Sequence, residues 1–266
     1  MRVRIPTSIA IALSFLFASQ AGAQATQIRV LCSNGLKAVV EELKSRAELQ
    51  IGRPFAIEFG TSVAIRQRIQ SGEAFDVAIL SSEVLDDLIK AGKIGAATRT
   101  DLGRSGIGIG VRSGARKPDI ATIETLKTTL LNAKSMTWVD AGASRVHIDK
   151  MLGELGIAKD VQPKIVLTQQ VDQSIATVAG GKADLIITLI SEIVPAKGVD
   201  YVGPLPPKVQ NYVSLAGGIS ANSKNVDSSR ALIRFLSTPS VAAVYKSKGM
   251  ELVIQGDAPT ALRPKK

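Results

Sequence analysis

Three short runs hold the residues best suited to chemistry: Ser33-Asn34-Gly35, Gly60-Thr61-Ser62 and Asp140-Ala-Gly-Ala-Ser-Arg145. Each follows an apolar stretch and precedes residues with helical spacing. Hydroxyls and amides at such a junction donate hydrogen bonds. A helix start adds unpaired N–H groups and the positive end of the macrodipole, so the chemistry favoured is the holding of an anion. Gly35 lets a ligand come close to the backbone. Ser33, Asn34, Thr61 and Ser62 are equally suited to plain helix capping.

Residues for other chemistry are sparse. Cys32 is the only cysteine and His147 the only histidine, so neither an intramolecular disulfide nor a cysteine metal cluster can form, and a zinc site is not expected. Cys32 lies within an apolar run and reads as a small buried residue; a nucleophilic reading would need His147 as its base. Arg145 points either into solvent or toward the third run. Arg66 and Arg68 fit a surface better than a site.

These runs sit in a repeated pattern. Ile28, Val30 and Cys32 share one face at period two, and Leu36, Val39, Val40 and Leu43 form a helical stripe. Phe55 to Phe59 and Asp76 to Leu80 repeat the strand, each followed by a helical run ending at Gly72 or Gly92. Three strand–turn–helix units imply a parallel sheet flanked by helices. Gly106-Ile-Gly-Ile-Gly-Val111 resembles a phosphate loop, but its glycines alternate within a strand rather than opening a helix. It reads as a crossing strand with closely packed backbone.

A second alternating series follows. It runs through a helix from Ile123 to Leu131, strands at 135–139, 164–168 and 184–188, and helices at 146–155 and 171–179. Gly203-Pro-Leu-Pro-Pro207 breaks it. A strand-like run from Val209 to Ser220 and two helices, 228–236 and 240–248, close the chain. The expected fold is α/β with two lobes, each a mostly parallel sheet flanked by helices, joined by two crossing strands. One lobe takes residues 26–105 and 209–255, the other 106–208, and residues 256–266 form a flexible tail. A cleft between the lobes would allow hinge closure.

The opening 25 residues have the form of a secretory signal peptide: Arg2 and Arg4, a short apolar core, then small residues for cleavage after Ala23 or Ala25. An exported, periplasmic protein is expected. The chain carries 33 Lys and Arg against 23 Asp and Glu, formally +10, with Arg2 and Arg4 in the leader. The basic residues are scattered and aromatics are few, which argues against nucleic acid. Attraction of anionic solutes fits as well.

The chain resembles the type II periplasmic solute-binding proteins, and more narrowly the molybdate-binding-protein-like family of ABC importers, which also includes aconitate isomerase. The resemblance rests on VLCSNGLKAVVEELK, FGTSVAIRQRIQSGEAFDVAILSSEVLDDLIKAGKI, DAGASRVHIDKMLGELGI, GGKADLIITLISEI and ALIRFLSTPSVAAVYKSKGME. It implies an oxyanion held by hydroxyls and backbone N–H groups at helix starts. By position these are Ser33 with Asn34, Thr61 or Ser62, Ala143 or Ser144, and the N–H of Val171. The family's site tyrosine falls near Leu189, which has no hydroxyl, while Arg145 follows the third turn. A guanidinium fork there suits a carboxylate better than a small tetrahedral oxyanion.

Two functions follow from the resemblance. One is a monomeric receptor that captures a small anion, needs no cofactor or metal, and hands its ligand to a membrane ABC permease. The other is an isomerase of a tricarboxylic acid, in which arginines clamp carboxylates and His147, Asp140 or Cys32 takes a proton.

Overall fold

The computed structural model describes residues 27–253, so the leader at 1–25 and the tail at 256–266 lie outside the described residues. The chain begins with β1 (Ile28–Ser33), a 3-10 turn at Asn34–Leu36 and α1 (Lys37–Ile51). Next come β2 (Phe55–Gly60), α2 (Ser62–Gln70), β3 (Val77–Ser81) and α3 (Ser82–Lys90). The long β4 (Thr100–Arg112) leads to α4 (Ile123–Asn132), β5 (Met136–Val139), α5 (Arg145–Glu154) and the short α6 (Ala158–Val161). Then follow β6 (Ile165–Thr168), α7 (Val171–Ala179), β7 (Leu185–Leu189), α8 (Ile190–Ile193) and β8 (Val199–Pro204). The chain closes with β9 (Tyr212–Ile219), α9 (Val226–Leu236), α10 (Ala242–Ser247) and β10 (Glu251–Leu252).

The strands form two groups with the same topology. One runs β2-β1-β3-β9-β4, the other β6-β5-β7-β4-β8, and in each the first three strands are parallel while the fourth is antiparallel to its neighbours. β4 belongs to both: Thr100–Gly106 pairs with β9, and Ile107–Arg112 pairs with β7 and β8. This is the two-lobed α/β architecture expected from the alternation. The chain returns through residues 205–211 into β9.

The glycines of β4 explain how one strand serves two groups. A Cβ on Gly108 would lie 2.9 Å from both Ile190 and Tyr201, and on Gly110 2.7 Å from Val199. Side chains from α8 and β8 occupy that space, so only a bare backbone lets them pack against the strand.

Each half buries its own core. On one face of the first sheet, Leu36, Val39 and Leu43 pack against Ile28, Val30 and Cys32, with Leu232, Leu236 and Tyr245 behind them. On the other, Leu31, Ala78 and Leu80 meet Ile65, Ile69, Leu85 and Leu88. In the second half, Met136 and Trp138 meet Leu126, Leu130, Ile148 and Met151. Each fully buried Leu or Ile side chain contributes about 1.5–3 kcal/mol, so these faces hold the helix starts in place. No helix among the described residues is long and apolar enough to cross a membrane.

Several elements differ from the sequence reading. β8 carries the Gly203-Pro204 pair that signals a break; it pairs only with β4, and its proline is the last residue of an edge strand, where a missing N–H is tolerated. α8 is a single turn, too short to show periodicity. α10 begins at Ala242 because Pro239–Val241 forms a 3-10 turn first.

Candidate functional site

Ser33 is the last residue of β1 and pairs with Gly60 at the end of β2, so register alone brings the Ser33-Asn34 and Thr61-Ser62 turns side by side. In the other half the ends of β5 and β7 and the start of α7 present Ala143, Ser144, Thr188, Leu189 and Val171. All of these residues line one small pocket, together with Val139, Gly142 and Glu192. Carboxyl ends of parallel strands from two sheets thus face each other across a cleft, the usual ligand position in open α/β sheets.

The hydroxyls in this pocket are turned toward donation. Ser33 Oγ accepts from Gly35 N at 3.4 Å, Thr61 Oγ1 from Ala64 N at 3.1 Å, and Ser62 Oγ from Ser81 N at 2.9 Å. Each oxygen already accepts a backbone N–H, and its own proton stays available for a ligand. Ser144, also buried, is the N-cap of α5 and makes no side-chain capping bond. Val171 is the first residue of α7, where an N–H has no intrahelical partner. The starts of α2, α5 and α7 therefore bring donors and positive dipole ends to one place, and among the described residues no Lys or Arg lines it.

One acid does. Glu192, in α8, accepts a hydrogen bond from the Thr188 hydroxyl and another from the Leu189 N–H. Burial pushes its carboxyl up to about 7, although both hydrogen bonds and the ionised form they favour pull the other way; the charge of Asp172 adds to the rise. The residue keeps part of its surface accessible. It lines both the inner pocket, of about 20 Å³, and an outer cavity of about 360 Å³. Asn34 and Val171 border both as well, so these three residues form the doorway. The outer cavity is lined by Lys37, Glu41, Asp172 and Lys197 among others.

Seven of the eight residues expected at the site meet here: Ser33, Asn34, Thr61, Ser62, Ala143, Ser144 and Val171. Arg145 does not. Its guanidinium is held by Asp140 at 2.6 Å and Asp149 at 2.7 Å and lies outside the pocket lining, because two acids on its own turn and helix satisfy it. Arg66 pairs with Asp87, and Arg68 with Glu58 and Glu73. None of the expected bases lines the pocket. His147 Nδ1 lies 2.8 Å from Asn211 Nδ2, Asp140 is bound to Arg145, and Cys32 is buried with its thiol pushed up.

Sequence reasoning missed Thr188 and Glu192. It placed a site hydroxyl near Leu189 and found none, while the neighbouring Thr188 supplies one. A signal for Glu192 was present: a lone carboxylate in the apolar run LIITLISEI is expected to be buried and partnered. Among the described residues no group of three or more His, Cys, Asp or Glu is disposed to hold a metal ion.

The fold and this cleft define a two-lobed periplasmic-type binding protein. The family described as bacterial extracellular solute-binding protein matches residues 28–251, and the chain belongs to it. It is 29% identical over 262 residues to an aconitate isomerase from a Pseudomonas species, covering 94% of this chain and 97% of that one. Among solved structures it resembles the periplasmic molybdate-binding protein of Azotobacter vinelandii, with a TM-score of 0.74 at 17% identity over 85% of this chain and 100% of that one. It also resembles the sulfate-binding protein SubI from Mycobacterium tuberculosis, with a TM-score of 0.65 at 16% identity over 86% and 87% of the two chains.

Proposed function

We propose that the protein captures a small anion, an oxyanion or the carboxylate of an organic acid, in the pocket between its lobes. The observation that carries this reading is the set of three hydroxyls, Ser33, Thr61 and Ser62, whose oxygens already accept backbone N–H groups and whose protons remain for a ligand. Ser144, the side chain of Asn34 and the N–H of Val171 complete the donors. Neutral, preorganised donors at helix starts bind an anion without a buried cation. The names of the molybdate- and sulfate-binding relatives support the same ligand class.

An inner pocket of about 20 Å³ is only slightly above the ~10–15 Å³ that one water requires. A ligand of several atoms therefore enters only if the halves part, with residues 26–105 and 209–255 moving against 106–208 about β4 and the 205–211 return. In the full reading the leader is cleaved after Ala23 or Ala25, the monomer works in the periplasm, and it passes its ligand to an ABC permease. A thermal-shift screen against molybdate, tungstate, sulfate and di- and tricarboxylates tests it. A ligand at 100 times its dissociation constant stabilises by about 2.7 kcal/mol. No shift with any of them would refute the reading.

A second reading is favoured by Glu192. An isomerase that moves a double bond in a tricarboxylic acid takes a proton from a methylene carbon and returns one to the far carbon of the allylic system. No atom is gained or lost, and one carboxylate of near-neutral pKa is suited to both transfers. The likeness to an aconitate isomerase over nearly the whole chain supports it. Incubation with trans-aconitate, with the cis isomer followed by chromatography, decides this reading; no conversion at high protein concentration would rule it out.

A further inference from the structure

We propose that Glu192 is a proton-binding site coupled to the ligand: it takes up one proton as an ionised anion enters the pocket, and its O–H then donates to that anion. This rests on the reading of the pocket as an anion site and goes beyond it by assigning a group that opposes the charge of the ligand. Every other polar side chain lining the pocket is neutral, so Glu192 is where an anion meets a like charge. A like charge within about 4–6 Å disfavours the ionised form of a carboxyl.

The surroundings make uptake available at neutral pH. Thr188 and the Leu189 N–H donate to the carboxyl from its own segment. From α7, Asp172 faces it and works against ionisation. From α1, Lys37 faces the cavity but is engaged with Asp172 at 3.3 Å, and Glu41 lies beyond; Lys197 follows α8 on the same wall. Among the described residues no Lys or Arg lines the inner pocket to hold Glu192 ionised against an incoming anion. In the protonated form the O–H replaces repulsion by a hydrogen bond and turns the one charged side chain of the pocket lining into another donor. Thr188 goes on donating to the oxygen of the acid that carries no proton, which leaves the Glu192 O–H for the ligand.

Calorimetric titration with sulfate and with trans-aconitate, both fully ionised at about pH 8, tests this in two buffers of different ionisation enthalpy. For the wild type, the observed enthalpy should differ between the buffers in proportion to one proton taken up. Affinity should fall by up to about tenfold per pH unit above about pH 7. Glu192→Gln, an imitation of the protonated acid, should bind with no buffer difference and an affinity flat across that range. A wild type that binds either anion with no buffer difference would overturn the proposal while leaving the anion pocket intact. A Glu192→Gln variant that retains the pH slope would do the same. If neither probe binds at any pH, this proposal is overturned, and the wider screen with molybdate and tungstate decides whether the pocket takes another anion. Should the variant fail to fold, the wild-type buffer pair decides alone.

Discussion

Lys37 Nζ lies 3.3 Å from Asp172 Oδ2, and the two residues belong to opposite halves of the molecule. Lys37 opens α1 in the first half; Asp172 is the second residue of α7 in the other, directly after Val171. The pair therefore spans the mouth of the pocket and fastens one lobe to the other where the helix starts converge. Asp172 is largely exposed, so the bond is a latch rather than an anchor.

Lys37→Ala should weaken anion binding without unfolding the protein. Exposed pairs are worth about 0.2–1 kcal/mol, which corresponds to an affinity loss of up to about fivefold. Titration calorimetry at low and high salt checks this, since the difference between wild type and variant should shrink as salt screens the pair.

Ser62→Ala should cost both stability and affinity. Its oxygen accepts the Ser81 N–H at 2.9 Å in a buried setting, and an orphaned buried donor costs about 1–3 kcal/mol. At about 2–4 °C per kcal/mol for a domain of this size, the melting temperature should drop by several degrees.

Arg145→Ala should leave anion affinity within about twofold, because the guanidinium is engaged by Asp140 and Asp149 in bonds worth little at an exposed site. A large loss of carboxylate affinity would restore the carboxylate clamp that the sequence suggests.

Glu192 predicts a pH dependence of stability. Its carboxyl moves from an ordinary 4.5 to about 7 on folding, so between those values the folded chain holds more protons than the unfolded one. The stability it contributes is complete below about pH 4.5 and is lost as pH rises through about 7. Glu192→Gln should therefore melt a few degrees above the wild type at about pH 8, with the gap closing near pH 5. Thermal denaturation across that range is the check.

What the sequence discloses and what it hides divides along local and non-local lines. Ser33, Thr61 and Ser62 are legible because a strand, a hydroxyl turn and a helix start are contiguous, and the capping geometry at Thr61 follows from that run alone. The parallel pairing of β1 and β2 then fixes which turns are neighbours. Glu192 and Thr188 bond to each other only four residues apart, but the pocket they face is closed by α7 of their own half and by the start of α1 across the cleft, which local spacing does not disclose. Arg145 is misread for the converse reason: its nearest acids, four and five residues away, compete with any ligand, and the sequence does not say which wins. β8 escapes because its glycine and proline signal a break, while its pairing with β4 depends on a strand about 90 residues earlier.

Anion capture depends on donors from both halves meeting on one ligand. Its most direct test is titration of wild type and Thr61→Val with whichever of molybdate, sulfate or trans-aconitate gives a thermal shift. Valine keeps the shape and removes the O–H that the Ala64 N–H leaves available. A hydrogen bond to a charged group is worth about 1.5–3 kcal/mol, so affinity should fall by about 10- to 100-fold. Equal affinity in the two proteins would mean that the anion binds elsewhere and that the pocket is not its site.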